Sequence, residues 1–237
     1  IITDVTVTEV RSETKVQLSL SNGQTLEADA VLVAAGRIPN TDAIGLEAAG
    51  LATQSGFLKV NEQMETEVNG IYAAGDVVGG WLLAHVAFAE GIVAAENAAG
   101  LQSSLDYRVV PRCIYSVPEF AAVGLSAEEA QARYPSAAYS FPLKSMGMAQ
   151  ALGEWEGLIK LVVDTNNGAI LGGHIIGAHA SDLIAEIALA MRNNIPVQGI
   201  IDTIHAHPSM AEAVLEIAKA ARGQAIHLLP ADATKII

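Results

Sequence analysis

Gly70-Ile71-Tyr72-Ala73-Ala74-Gly75-Asp76-Val77-Val78 opens the stretch that decides the fold, and Leu82-Leu83-Ala84-His85 with Glu90-Gly91 continues it. The run from Ile71 to Ala74 is apolar and bounded by glycine at both ends, the pattern of a strand buried on both faces. From about Leu82 to Ala99 the chain turns Ala-rich and reads as a long helix. The order is strand, glycine-bearing loop, helix. In open α/β sheets ligands bind outside the carboxyl ends of the strands, so Asp76 stands where a carboxylate accepts hydrogen bonds from the hydroxyls of a sugar-like chain. An aspartate that merely ends a strand in a turn fits the same six residues equally well.

Upstream, Thr3 to Val10 alternates polar and β-branched residues, and Lys15 to Leu20 does so again before the turn Ser21-Asn22-Gly23, which predicts a β-meander. Ala30-Val31-Leu32-Val33-Ala34-Ala35 is a second continuous apolar run, closed by Gly36, and predicts a strand of a parallel sheet. Beyond Asp106 the texture changes to short strands and capped helices. Ser126 with Glu129 forms a capping-box pattern, and Thr165-Asn166-Asn167-Gly168 reads as the turn between strands Leu158–Val163 and Ala169–Ile176. Helices are predicted over Asp182 to Asn193 and Met210 to Arg222, with Ile195-Pro196 ending the first region. A domain boundary is expected at residues 101–108, an α+β domain after it, and a loose tail after Leu229.

Composition excludes several classes. Of the 237 residues 51% are hydrophobic, enough for well-filled cores. No uncharged apolar run approaches about 18 residues, and Ile1-Ile2-Thr3-Asp4 lacks a basic stretch followed by an apolar one. A soluble protein without a signal peptide or membrane partner is expected. Lys and Arg total 13 against 26 Asp and Glu, and a net charge of −13 opposes nucleic-acid binding. The single Cys113 permits no internal disulfide framework, which fits a reducing, cytoplasmic setting.

The segment richest in chemistry is His205-Ala206-His207-Pro208-Ser209-Met210-Ala211-Glu212. A carboxylate five residues after His207 can hold one imidazole nitrogen, fix the tautomer and raise the basicity of the other, which makes a general base for neutral pH. Equally, Ser209 and Glu212 match a capping box opening the following helix. His205, His174, His179 and His227 have no carboxylate or Cys partner at ligand spacing, so structural roles and no metal are expected.

Taken together, the segments resemble the pyridine nucleotide-disulfide oxidoreductases, from about Glu27 to Leu228. The string from Gly75-Asp76 through Leu82-Leu83-Ala84-His85 to Glu90-Gly91 is similar to that family's second flavin-binding segment. The resemblance implies that Asp76 hydrogen-bonds the ribityl chain of FAD. It also implies that Leu82, Leu83, Ala84 and His85 lie at a helix amino terminus whose dipole faces the flavin, His85 having no proton-transfer role. Gly36-Arg37-Ile38-Pro39-Asn40 resembles the segment where the chain leaves the NAD-binding domain, which implies that Gly36 approaches NAD. His207-Pro208-Ser209-Met210-Ala211-Glu212 matches the family's catalytic His-Glu pair, which serves the disulfide of the other subunit of a homodimer. Ser116-Val117-Pro118-Glu119 and Gly173-His174-Ile175-Ile176-Gly177 align with its interface domain.

Ala151-Leu152-Gly153-Glu154 and Ala180-Ser181-Asp182-Leu183-Ile184-Ala185-Glu186 look most like the dihydrolipoamide dehydrogenase branch. The implied class is α/β plus α+β: the end of an NAD-binding domain at 1–69, the end of an FAD-binding domain at 70–106, a dimerisation domain at 107–229 and a tail at 230–237. Two family features are missing from these residues, the Gly-x-Gly-x-x-Gly phosphate loops and the Cys-x4-Cys redox pair. The chain is therefore expected to be the C-terminal half of a longer enzyme and inactive alone. The whole enzyme would oxidise dihydrolipoamide with NAD+ through FAD and meet the lipoyl domain of a 2-oxoacid dehydrogenase complex. The alternatives are a dimerisation module without activity and a related disulfide reductase such as glutathione reductase.

Overall fold

The computed structural model describes residues 1–12 and 14–228, so the tail expected at 230–237 lies outside the described residues. Three antiparallel strands open the chain, β1 (Val7–Ser12), β2 (Val16–Leu20) and β3 (Thr25–Ala28). Val10 pairs with Leu18 and Leu18 with Leu26, so the alternating residues of this meander share one face. A short hairpin, β4 (Thr53–Gln54) and β5 (Phe57–Leu58), precedes a 3-10 turn at Asp76–Val78 and the helix α1 (Ala84–Ala98).

The second half folds as a five-stranded antiparallel sheet in the order β6-β7-β10-β9-β8, built from β6 (Arg112–Ile114), β7 (Phe120–Gly124), β8 (Ser136–Pro142), β9 (Leu158–Asp164) and β10 (Ile170–Ile176). Its helices are α2 (Ala127–Gln131), α3 (Gly147–Leu152), α4 (Ala180–Arg192), α5 (Val197–Asp202) and α6 (Glu212–Ala220). Phe141, Ile159, Leu161 and Ile175 point from the sheet into a core completed by Ile184 and Ile187 of α4 and Val214 and Ile217 of α6. Full burial of each such side chain stabilises the fold by about 1.5–3 kcal/mol. On the other face, Ala127 and Ala130 of α2 cover Ala138 and Val162. Helix α4 crosses close to β10 because Gly173 has no side chain: a Cβ there would lie 2.8 Å from Ile187 Cγ2.

The meander, the long helix, the Thr165–Gly168 turn and the Ser126–Glu129 capping box all form where the sequence predicts them, the last with both of its reciprocal hydrogen bonds. The two parallel strands do not. Residues 30–35 adopt no strand, and Leu32 and Val33 stand 90% and 83% exposed. Residues 70–74 hold only an antiparallel bridge from Tyr72 to Glu65, with the Ala73 N–H bonded to the Met64 carbonyl. A strand covered on both faces exists only between neighbours, and every strand pairing among the described residues is antiparallel and lies elsewhere. Apolar content alone therefore does not make these runs strands.

Candidate active site

His207 lies in the irregular segment between α5 and α6, and Glu212 is the first residue of α6. The imidazole Nδ1 is 2.9 Å from Glu212 Oε1. Glu212 Oε2 meanwhile accepts the Ser209 N–H at 3.0 Å. The two roles open to Glu212 from sequence thus hold at once, one on each oxygen. The capping box is only half made: Ser209 turns its hydroxyl to the Ala206 carbonyl at 2.7 Å, and α6 receives no side-chain cap.

The electrostatics follow from burial and partners. The Glu212 side chain is 14% exposed while the ring of His207 is 77% exposed. Burial, the largest single influence, pushes the Glu212 carboxyl upward, but the Ser209 N–H, the His207 ring and the charge of His227 together outweigh it and hold the group below its ordinary value. A carboxylate facing Nδ1 selects the tautomer with the proton on Nδ1, which leaves the Nε2 lone pair open to solvent. Such an arrangement can take a proton from an approaching acid and stabilise the resulting imidazolium.

The second group of candidates surrounds α1. Gly75 takes φ +82°, and its N–H donates to Oε2 of the buried Glu90 at 2.7 Å. Asp76 follows with its carboxylate exposed and 3.6 Å from Nε of Arg37, so the segments around Gly36 and Asp76 meet. Leu83 is the N-cap of α1, and no side chain caps that end. Ala84 and His85 are exposed there and Leu82 and Leu83 half-buried, and His85 Nε2 contacts the Pro111 carbonyl at 2.8 Å. Gly36 has φ +107° and no neighbour within 4 Å of a Cβ position. Among the described residues no hydrogen bond or ion pair joins this group to His207 and Glu212.

The structure also brings together residues that sequence spacing leaves apart. His205 Nε2 is 2.8 Å from Glu186 Oε1, His179 Nδ1 is 3.4 Å from Asp182, and His227 Nδ1 is 3.5 Å from Glu216. Three of the four histidines expected to lack a carboxylate partner therefore have one: His205 and His227 through folding, and His179 from Asp182 three residues along the chain. His174 does not: its Nδ1 is buried without a partner, and burial, then the charges of Lys160 and Arg112, hold it below its ordinary value. Glu90, immediately before Gly91, accepts from both the Gly75 N–H and the Tyr107 hydroxyl, a role its place in the sequence does not signal. Cys113 lies in β6, and burial followed by the Glu119 charge raises its thiol.

No helix among the described residues is long and apolar enough to cross a membrane. The pyridine nucleotide-disulphide oxidoreductase model matches residues 1–91, and the dimerisation-domain model of the same proteins matches residues 110–218. Proteins named dihydrolipoyl dehydrogenase from Chlamydia trachomatis and Bacillus subtilis are 43% and 42% identical over 92% and 94% of this chain, and over 47% and 48% of their own lengths. The chain thus spans about half the length of the curated relatives it matches. Among solved structures, LpdA from Mycobacterium tuberculosis superposes with a TM-score of 0.82 at 30% identity, covering 91% of this chain and 48% of the other. An HOCl-induced flavoprotein disulfide reductase from Escherichia coli gives 0.82 at 25% identity, covering 90% and 50%. With both halves of the chain matched by its models and the same fold in its solved members, the chain belongs to the pyridine nucleotide-disulphide oxidoreductase family.

Proposed function

We propose that this chain forms part of a dihydrolipoyl dehydrogenase, a homodimeric flavoenzyme that converts dihydrolipoamide and NAD+ to lipoamide and NADH. The observation that carries this reading is the 2.9 Å contact between His207 Nδ1 and Glu212 Oε1 with the opposite ring nitrogen exposed. Names and identities of the relatives support it. Oxidation of the dithiol releases two protons and two electrons. His207 Nε2 accepts a thiol proton and Glu212 stabilises the imidazolium. The reading also requires a Cys-x4-Cys redox pair and Gly-x-Gly-x-x-Gly phosphate loops, which these 237 residues do not contain.

The residues around α1 fit a flavin. Asp76 offers an exposed carboxylate to hydroxyl donors, and the uncapped N-terminus of α1, at Ala84 and His85, offers free backbone N–H groups and a positive dipole end. FAD, when bound, supplies the two-electron link between dithiol and NAD+. Gly36 gives a backbone open to a pyridine nucleotide. We assign residues 1–69 to the NAD-binding end, 70–106 to the FAD-binding end and 107–229 to the dimer interface, with the lipoyl domain of a 2-oxoacid dehydrogenase complex as partner in the cytoplasm.

The dimerisation-domain match over residues 110–218 favours a second reading for these residues alone, a dimerisation module without turnover. A visible spectrum and a solution mass of the purified chain after incubation with FAD separate the two. A dimer with a bound flavin spectrum supports a working flavin site. A colourless dimer leaves the interface module, and a colourless monomer excludes both a working flavin site and a dimerisation module in these residues alone.

A further inference from the structure

The segment that carries His207 is moored by a second histidine–carboxylate contact. The His205 side chain is only 5% exposed, its Nε2 lies 2.8 Å from Oε1 of Glu186 on α4, and its Nδ1 lies 2.9 Å from the Thr203 carbonyl oxygen. A carbonyl oxygen only accepts, so Nδ1 donates to Thr203. One proton is then shared between Nε2 and Oε1, whether written as imidazolium with carboxylate or imidazole with carboxylic acid. Away from water such a contact holds its geometry better than an exposed pair. It spans 19 residues of chain and ties the segment to a helix whose Leu183, Ile184 and Ile187 are locked in the core.

His207 follows two residues later. Its exposed ring has little packing of its own, and Glu212 on α6 is its polar partner. The irregular stretch between α5 and α6 therefore hangs between α4 and α6 on two His–Glu contacts, one mostly buried and one open to solvent.

We infer that His205 and Glu186 are a positioning pair: they hold the 203–207 backbone where Nδ1 of His207 reaches Glu212, and so maintain the tautomer that leaves Nε2 free. This rests on the reading of His207 and Glu212 as an acid/base pair. Loss of the Glu186 contact frees the segment from α4, and the His207 ring then spends its time in solvent, where imidazole prefers the proton on Nε2.

The test is nitrogen NMR of the full chain labelled in its histidines, which reads the tautomer of each ring. In the unaltered chain His207 is expected to show the Nδ1–H form. Glu186→Ala and His205→Ala are expected to lose it, whereas Glu186→Gln, which keeps an acceptor oxygen for His205, is expected to retain it. Unchanged His207 nitrogen shifts in both alanine variants would overturn the inference. Equal loss in Glu186→Gln would overturn it too, because that variant keeps both the side-chain volume and an acceptor oxygen, so a hydrogen bond from His205 would not be what holds the segment. If far-UV circular dichroism shows that His205→Ala does not fold, the variants of the partly exposed Glu186 decide the matter. A holoenzyme whose turnover survives His207→Gln would sink the acid/base reading and leave the tautomer result standing, so the two ideas fail separately.

Discussion

Tyr107 donates its hydroxyl to Oε1 of Glu90 at 2.6 Å while Oε2 of the same carboxylate accepts the Gly75 N–H at 2.7 Å. One buried side chain on α1 thus joins the loop that begins at Gly75 to the linker before β6. The position of Asp76 relative to the N-terminus of α1 is thereby fixed by a hydrogen-bonded clamp.

Tyr107→Phe removes one arm of that clamp and is expected to cost about 1 kcal/mol, since the phenol is partly exposed and water replaces some of the lost bond. Burial first, and then the Glu90 carboxylate, raise the Tyr107 hydroxyl above its ordinary 10.0. Because the folded value lies above the unfolded one, this stabilisation is complete below about pH 10 and is lost as pH rises beyond it. Urea midpoints at pH 7 and pH 11 are expected to fall more steeply in the parent chain than in the variant. Parallel declines would dissociate the clamp from stability.

Asp76→Ala is expected to weaken FAD binding roughly 10- to 100-fold, the equivalent of a hydrogen bond to a charged group worth about 1.5–3 kcal/mol. Asp76→Asn, which keeps one acceptor oxygen, loses less. Arg37→Ala removes the neighbour at 3.6 Å and is expected to leave affinity unchanged or slightly improved, because the carboxylate no longer has to leave an ion pair. Fluorescence titration of FAD into apoprotein measures all three, and equal affinities for Asp76→Ala and the parent protein would exclude Asp76 from the site.

The parts of this fold that sequence makes legible are those whose cause is local. The Ser126–Glu129 box needs four residues, the Thr165–Gly168 turn needs four, and α1 needs only its own composition. The His207–Glu212 contact belongs with them, since five residues of chain bring the groups together. Contacts fixed by tertiary packing are invisible at that stage: Glu90 meets Tyr107 across 17 residues, His205 meets Glu186 across 19, and Arg192 meets Asp106 across 86. The error over residues 30–35 has the opposite origin. Their apolar pattern is local, but a doubly buried strand is a property of a sheet, and no described strand pairs with it.

In the holoenzyme, His207→Gln is expected to reduce kcat for dihydrolipoamide oxidation roughly 10²- to 10⁴-fold, the usual contribution of a general acid–base residue. Glu212→Gln still accepts from Nδ1 but lacks the charge that stabilises the imidazolium, so its loss is smaller. Glu212 also predicts an acid limb of stability. Its folded value lies below its unfolded value near 4.5, so its contribution is present above that pH and is lost as pH falls. Midpoints compared between pH 7 and pH 3 are expected to converge for the parent and Glu212→Gln proteins. A constant difference over that range would show that the carboxylate is not protonated on unfolding.

Glu216 sits beside this site, one turn further along α6, and its side chain is 2% exposed. Its Oε2 accepts the N–H groups of Ile226 and His227, each at 2.8 Å, and its Oε1 meets Lys219 Nζ at 3.1 Å. Burial pushes this carboxyl upward most strongly, yet the bonds from His227, Ile226 and Lys219 outweigh it and hold it below its ordinary value. Glu216→Ala leaves two backbone donors without an acceptor and Lys219 without its partner, at a cost of about 3 kcal/mol, the low end for breaking a buried pair because Lys219 can turn to water. Amide exchange distinguishes this from lost packing. The Ile226 and His227 amides are expected to exchange faster in Glu216→Ala, whereas truncation of the buried Leu228 to alanine lowers stability with those two amides still bonded. If Glu216→Ala loses stability while both amides stay protected, the packing of α6 rather than its carboxylate holds this segment against the core.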